Sequence, residues 1–104
     1  LPDKRQESEL VIQTPRVAIR YCTQCRWLLR AAWMAQELLT TFEQELGEVA
    51  LIPGSGGVFE VFVGDYLIWS RSEQGRFPDI KELKQLVRDR VAPAKQLGHS
   101  ERKV

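Results

Sequence analysis

The hydrophobic period of the chain changes several times along its length, and each change marks an element. Val17, Ile19 and Tyr21 alternate with Ala18 and Arg20, the two-residue period of a strand. From Leu28 the apolar positions recur at helical spacing. On a wheel of about 100° per residue, Leu28, Ala31, Ala35, Leu38, Leu39, Phe42 and Leu46 share one broad arc, the expected core face. Arg26, Arg30, Glu37 and Gln44 fall opposite, and Gly47 is expected to end the helix as a left-handed cap. Trp33 breaks this order by landing among the polar positions, between Arg30 and Glu37. Trp27 and Met34 sit at one border of the apolar arc.

Glu48–Ile52 alternates weakly and reads as a second strand. Pro53-Gly-Ser-Gly-Gly57 follows as a loop, dense in turn residues. Val58–Val63 and Tyr66–Arg71 then read as two strands joined at Gly64-Asp65, a tight hairpin. Glu60 interrupts the first of them; a carboxylate there is either exposed at an edge or paired, and the exposed reading is the expectation. Ser72–Phe77 reads as a polar loop. Asp79, with Glu82 three residues on, has the pattern of a capping box opening a last helix. Ile80, Leu83, Leu86, Val87 and Val91 form its apolar stripe, and Pro93 stops it. The expected organisation is a flexible extension over residues 1–15, with a short apolar patch at Leu10-Val11-Ile12, one domain over 16–92, and a flexible tail over 93–104.

Composition narrows the function classes. A chain of 104 residues suits a single core. Its 43% hydrophobic and 28% charged residues are those of an ordinary soluble globule. A net charge of +1 gives no reason to expect a nucleic-acid partner, and no apolar run reaches the length of a membrane span. The glycine loop is not a phosphate cradle, because its glycines lead into a strand and no Gly-Lys-Ser/Thr opens a helix.

The candidate chemistry lies where the first strand hands over to the helix, at Cys22-Thr23-Gln24-Cys25. Two thiols at this spacing suit thiol–disulfide exchange, because the second can reach back and resolve a mixed disulfide. A helix start also favours negative charge, through unpaired backbone N–H groups and the peptide dipoles. Arg26 and Arg20 add positive charge nearby, and Thr23, Gln24 and Arg26 are the expected tuning residues. In ordinary dithiol logic Cys22, at the turn, is the accessible nucleophile and Cys25 resolves. The rival readings are a structural pair of thiols or a metal site. Zinc normally takes four ligands, and the chain has only these two cysteines and His99. Such a site would need a carboxylate or a second chain, so no metal residues are assigned. Haem attachment fails because Arg26 stands where histidine is required. Trp33 with Gly56 and Gly57 forms the candidate surface for a protein partner. Two close cysteines in a small domain are expected in a reducing compartment, the cytoplasm.

The order strand, helix, strand, hairpin, helix gives an α/β (α+β) fold. Its β-α-β crossover is expected to be right-handed and its sheet mixed and four-stranded, covered by two helices, the layout of thioredoxin-like proteins. Particular residues go further. Val-Ala-Ile-Arg-Tyr-Cys-Thr-Gln-Cys at 17–25, Gly-Val-Phe-Glu-Val-Phe-Val-Gly at 57–64, Leu-Ile-Trp-Ser-Arg at 67–71 and Gly-Arg-Phe-Pro-Asp at 75–79 together resemble the selenoprotein W/T/H (Rdx-type) family. The chain looks like a bacterial-type cysteine member, and the resemblance covers residues 16–92.

The resemblance implies a thiol–disulfide oxidoreductase or redox sensor in cell redox homeostasis. It needs no bound cofactor, and glutathione or protein thiols are its exchange partners. Selenium-containing relatives carry selenocysteine at the position of Cys25, which makes Cys25 the rival candidate for the attacking residue. Thioredoxin-like enzymes usually hold a cis-proline before the first hairpin strand, where this chain has Gly56-Gly57. The alternatives kept open are a redox-dependent interaction module without turnover and metal binding across a dimer.

Overall fold

A computed structural model describes residues 15–98 of the chain. Strand β1 (Arg16–Cys22) leads through a turn into helix α1 (Leu28–Thr41). Strands β2 (Glu48–Gly54), β3 (Phe59–Val63) and β4 (Tyr66–Ser70) follow, then a short helix α2 (Arg71–Gln74) and a long helix α3 (Ile80–Val91). The sheet order is β2-β1-β3-β4, with β1 parallel to β2 and antiparallel to β3. This is the mixed, thioredoxin-like sheet expected, with a third, one-turn helix added. Except for Pro15, the extension with its Leu10–Ile12 patch lies outside the described residues, as does the tail from His99 onward. Within the described part of that tail, Leu97 packs against the core and Lys95 pairs with Glu45 at 3.2 Å.

Strand alternation puts Val17, Ile19 and Tyr21 of β1 and Phe59, Val61 and Val63 of β3 on one face. Both long helices cover that face. α1 contributes Ala31, Met34 and Leu38, and α3 contributes Leu83 and Val87. Each fully buried side chain of the size of Ile19 or Leu38 stabilises the fold by about 1.5–3 kcal/mol. The opposite face carries the directly paired Arg20 and Glu60, whose charged groups lie 3.8 Å apart. Glu60 is therefore not an edge residue. It sits on an inner strand, with its charge turned from the core and matched by Arg20.

The core face of α1 is rotated from the expected arc. Met34 is fully buried, whereas Leu28 and Leu39 are 45% and 41% exposed. The cause is α3, which packs beside α1 and is tied to it by Lys84 and Glu37 at 2.8 Å. The helix also stops earlier than Gly47. Phe42 caps it, donating to the Leu38 carbonyl, and the N–H groups of Glu45 and Leu46 bond to the Phe42 carbonyl. Gly47 is not left-handed; its N–H instead ties the loop to Pro15 O at 2.9 Å. Strand β2 runs on through Pro53 and Gly54, which an edge strand tolerates because proline's missing donor faces no neighbour. A bulge between β3 and β4 makes Phe62 face Leu67 and Val61 face Trp69. It explains why β4 looks apolar on both faces. No helix among the described residues is long and apolar enough to cross a membrane.

The expected capping box opens α3. The Asp79 carboxylate accepts from the Lys81 N–H at 2.8 Å, and the Glu82 carboxylate accepts from the Asp79 N–H at 3.2 Å. Arg76 grips Glu82 with two parallel bonds of 2.9 and 3.0 Å. That bidentate contact is the main reason the Glu82 carboxyl titrates below its usual range. A carboxyl depressed in the folded state stabilises it above the ordinary glutamate pKa, and this is lost as pH falls through the folded value. Asp79→Ala is expected to cost about 1 kcal/mol. Glu82→Gln is expected to cost a few tenths at neutral pH, since the pair is largely exposed, and nothing in acid. Urea midpoints measured across pH check both.

Candidate functional site

Cys22 is the last residue of β1, an inner strand, and it is buried, with 1% exposure. Cys25 is half-buried in the following turn and is joined to Cys22 by a disulfide, with Cα atoms 5.3 Å apart. The access argument for Cys22 is thus overturned. Cys22 is enclosed at the end of the inner strand, and the turn lifts Cys25 toward solvent.

The turn has a definite construction. Trp27 N–H bonds the Cys22 carbonyl at 3.3 Å, and Arg26 N–H bonds the Thr23 carbonyl at 3.0 Å. Between them Arg26 adopts a left-handed backbone, φ 65°. This six-to-one and five-to-two pairing around a left-handed residue is the closure that commonly ends helices, where glycine usually fills that position. Here it closes a single turn around the thiols. Consequently α1 starts only at Leu28, with Trp27 as its N-cap, and neither cysteine lies in its first turn. The donor found at the sulfurs is instead local: Cys25 N–H points to Cys22 Sγ at 3.2 Å.

Thr23 staples the turn to the sheet, since its N–H and its hydroxyl both donate to the Gly54 carbonyl, at 3.1 and 3.2 Å. A Cβ at Gly54 would come within 2.8 Å of Val58 Cγ1 and 3.2 Å of Arg20 Nε, so a side chain there would force those two neighbours to move. Gln24 is exposed. Arg26 is exposed too, and it lines a cleft of about 300 Å³ with Tyr21, Thr23, Leu28 and Leu29.

Of the candidate partner surface, Trp33 is 47% exposed on α1, one turn beyond Leu29, which is 81% exposed. Gly56 and Gly57 lie in the β2–β3 turn, at the same end of the sheet as the dithiol, both left-handed with φ 71° and 76°. Among the described residues, no three His, Cys, Asp or Glu side chains are placed to hold a metal ion.

The residues that sequence reasoning missed lie behind the turn. Trp27 packs edge-on against Phe77, with ring centroids 4.8 Å apart, and Phe77 against Phe59 at 5.0 Å. The Arg30 guanidinium stacks on Phe77 at 4.0 Å, and that of Arg71 lies over both Phe77 and Trp27 at 4.9 and 5.0 Å. Each such contact contributes about 0.5–1 kcal/mol. The available signal was Trp27 itself, an aromatic residue directly after the motif; Phe77 stood in a segment read as polar loop.

Residues 16–89 match the model of the Rdx family. Two solved structures are similar over most of the chain. A Bordetella parapertussis protein is 62% identical, with a TM-score of 0.74, covering 75% of this chain and 99% of its own. A selenoprotein W-related protein from Vibrio cholerae is 51% identical, with a TM-score of 0.72, covering 74% of this chain and 96% of its own. No curated protein matches.

A left-handed residue with a Cβ costs roughly 1–2 kcal/mol. Arg26→Gly and Arg26→Ala remove the same charge, but only glycine relieves that backbone. We therefore expect the glycine variant to be more stable than the alanine variant by about 1 kcal/mol, even though glycine is entropically costlier in the unfolded chain. Equal denaturation midpoints would contradict the geometry of the turn.

Proposed function

The chain belongs to the Rdx family, and we propose that it is a thiol–disulfide redox protein, an oxidoreductase or redox sensor, in which Cys25 exchanges with external thiols and Cys22 resolves. The observation that carries this reading is the unequal burial of two bonded cysteines, with only Cys25 within reach of a second molecule. In the reduced protein the Cys25 thiolate attacks a substrate disulfide and releases one substrate thiolate. The Cys22 thiolate then attacks the Cys25 sulfur, which expels the second substrate thiolate and closes the internal disulfide. Two electrons pass from the dithiol to the substrate.

In reverse, an external thiolate attacks Cys25 and Cys22 departs as the thiolate. The Cys25 N–H already aimed at Cys22 Sγ favours that departure, because a leaving thiolate that accepts a hydrogen bond is a better one. Exchange with glutathione or protein thiols in the cytoplasm, as part of cell redox homeostasis, belongs to the same proposal.

A second reading, a redox-dependent interaction module without turnover, is favoured by the exposed Leu29 and Trp33 beside the turn. The two forms would then differ in binding rather than in catalysis. Steady turnover of a disulfide substrate decides against it.

The test of the cysteine roles is trapping. Cys22→Ser is expected to accumulate a mixed disulfide with glutathione on Cys25, readable by mass spectrometry. Cys25→Ser is expected to form the adduct at least about tenfold more slowly, since attack requires access to the thiol. The opposite order would assign the attack to Cys22.

A further inference from the structure

The cations of this protein are distributed unevenly. Arg16, Arg20, Arg76, Lys84, Arg88 and Lys95 each lie within 4 Å of a carboxylate. Arg30 and Arg71 make no ion pair among the described residues, yet they share the Phe77 ring, so their charges lie within about 9 Å of each other. Arg71 Nε is buried and has no hydrogen-bond partner. Arg26, directly after Cys25, is also without a carboxylate among the described residues. Glu73, two residues beyond Arg71 on the same short helix, pairs with none of them. Among the described residues Lys81 and Arg90 on α3 lack carboxylates as well, but neither lies over the Trp27 or Phe77 ring.

Two like charges gathered on one hydrophobic cluster repel each other, and a buried guanidinium donor left unpaired is costly. The repulsion falls when an anion arrives. The cluster is wired to the dithiol, since Arg71 covers Trp27, whose N–H holds the Cys22 carbonyl. Trp27 is two residues from Cys25, so an anion bound there is close to the turn that carries the reacting sulfur.

We propose that Arg30 and Arg71 form the docking surface for an acidic peptide stretch flanking the disulfide that Cys25 attacks. The proposal rests on the redox reading given above and names its substrate class: protein disulfides with Asp or Glu nearby. The surface attracts carboxylates by charge complementarity, and guanidinium groups can hold them with paired bonds.

The test uses two synthetic cysteine peptides as their symmetric disulfides, identical except for Glu or Lys on either side of the cysteine. Oxidised mercaptoethanol serves as an uncharged third substrate. Reduced protein converts each peptide disulfide to two thiols while Cys22 and Cys25 become disulfide-bonded, and thiol release is timed. The Glu peptide is expected to react about tenfold faster than the Lys peptide at low salt, converging as salt screens the charges. In Arg30→Gln/Arg71→Gln the ratio is expected to approach one, and in Arg30→Lys/Arg71→Lys to persist. The salt dependence of the unmodified protein tests the idea even if the glutamine variant does not fold. Equal rates for the two peptides, or a faster Lys peptide, alongside normal reduction of oxidised mercaptoethanol, would overturn the docking surface alone. No reaction with any of the three would overturn the redox reading and the docking surface together.

Discussion

The site depends on one constraint: the chain must leave an inner strand and enter a helix within five residues while keeping Cys22 buried. The bond from Trp27 N–H to the Cys22 carbonyl meets it. It closes the turn on itself, so the backbone reverses without drawing Cys22 out of the sheet. Trp27 is in turn fixed by Phe59 and Phe77, one from β3 and one from the segment before α3. Thr23 ties the other side of the turn to β2 through Gly54. The dithiol is thereby referenced to three strands and both long helices.

The asymmetry of the two sulfurs follows from that anchoring. A residue ending an inner strand is surrounded by its neighbours, so Cys22 is enclosed; a residue at the crest of a one-turn loop is not, so Cys25 is reachable. Closing the loop so tightly forces Arg26 into a left-handed backbone, at a cost the packing of Trp27 offsets. The same residue carries charge to the rim of the cleft, while Arg30 and Arg71 share the Phe77 ring and, among the described residues, make no ion pair.

Much of this was legible in the sequence, wherever the signal was local. The alternation at Val17–Tyr21, the Gly64-Asp65 hairpin and the Asp79/Glu82 capping box each specify structure within a few residues. The dithiol was equally plain. What could not be read depended on neighbours distant in sequence. Nothing local says that Arg26 will be left-handed, so α1 looked as if it began at the thiols. The packing of α3 turned Met34 inward and Leu28 outward, which a single-helix wheel cannot show. Pro53 is permitted in β2 only because that strand is an edge. Phe77 became part of the site through a contact with Trp27 that spans most of the domain, and with it the grouping of Arg30 and Arg71 was hidden.

The central claim is that the two cysteines act as one reversible redox unit. It is tested most directly by equilibrating the purified protein with glutathione buffers of graded ratio and counting free thiols by mass spectrometry. A single transition is expected, in which the Cys22 and Cys25 thiols are lost and regained together. Thiols that stay free at every ratio, or a disulfide that no ratio reduces, would contradict it.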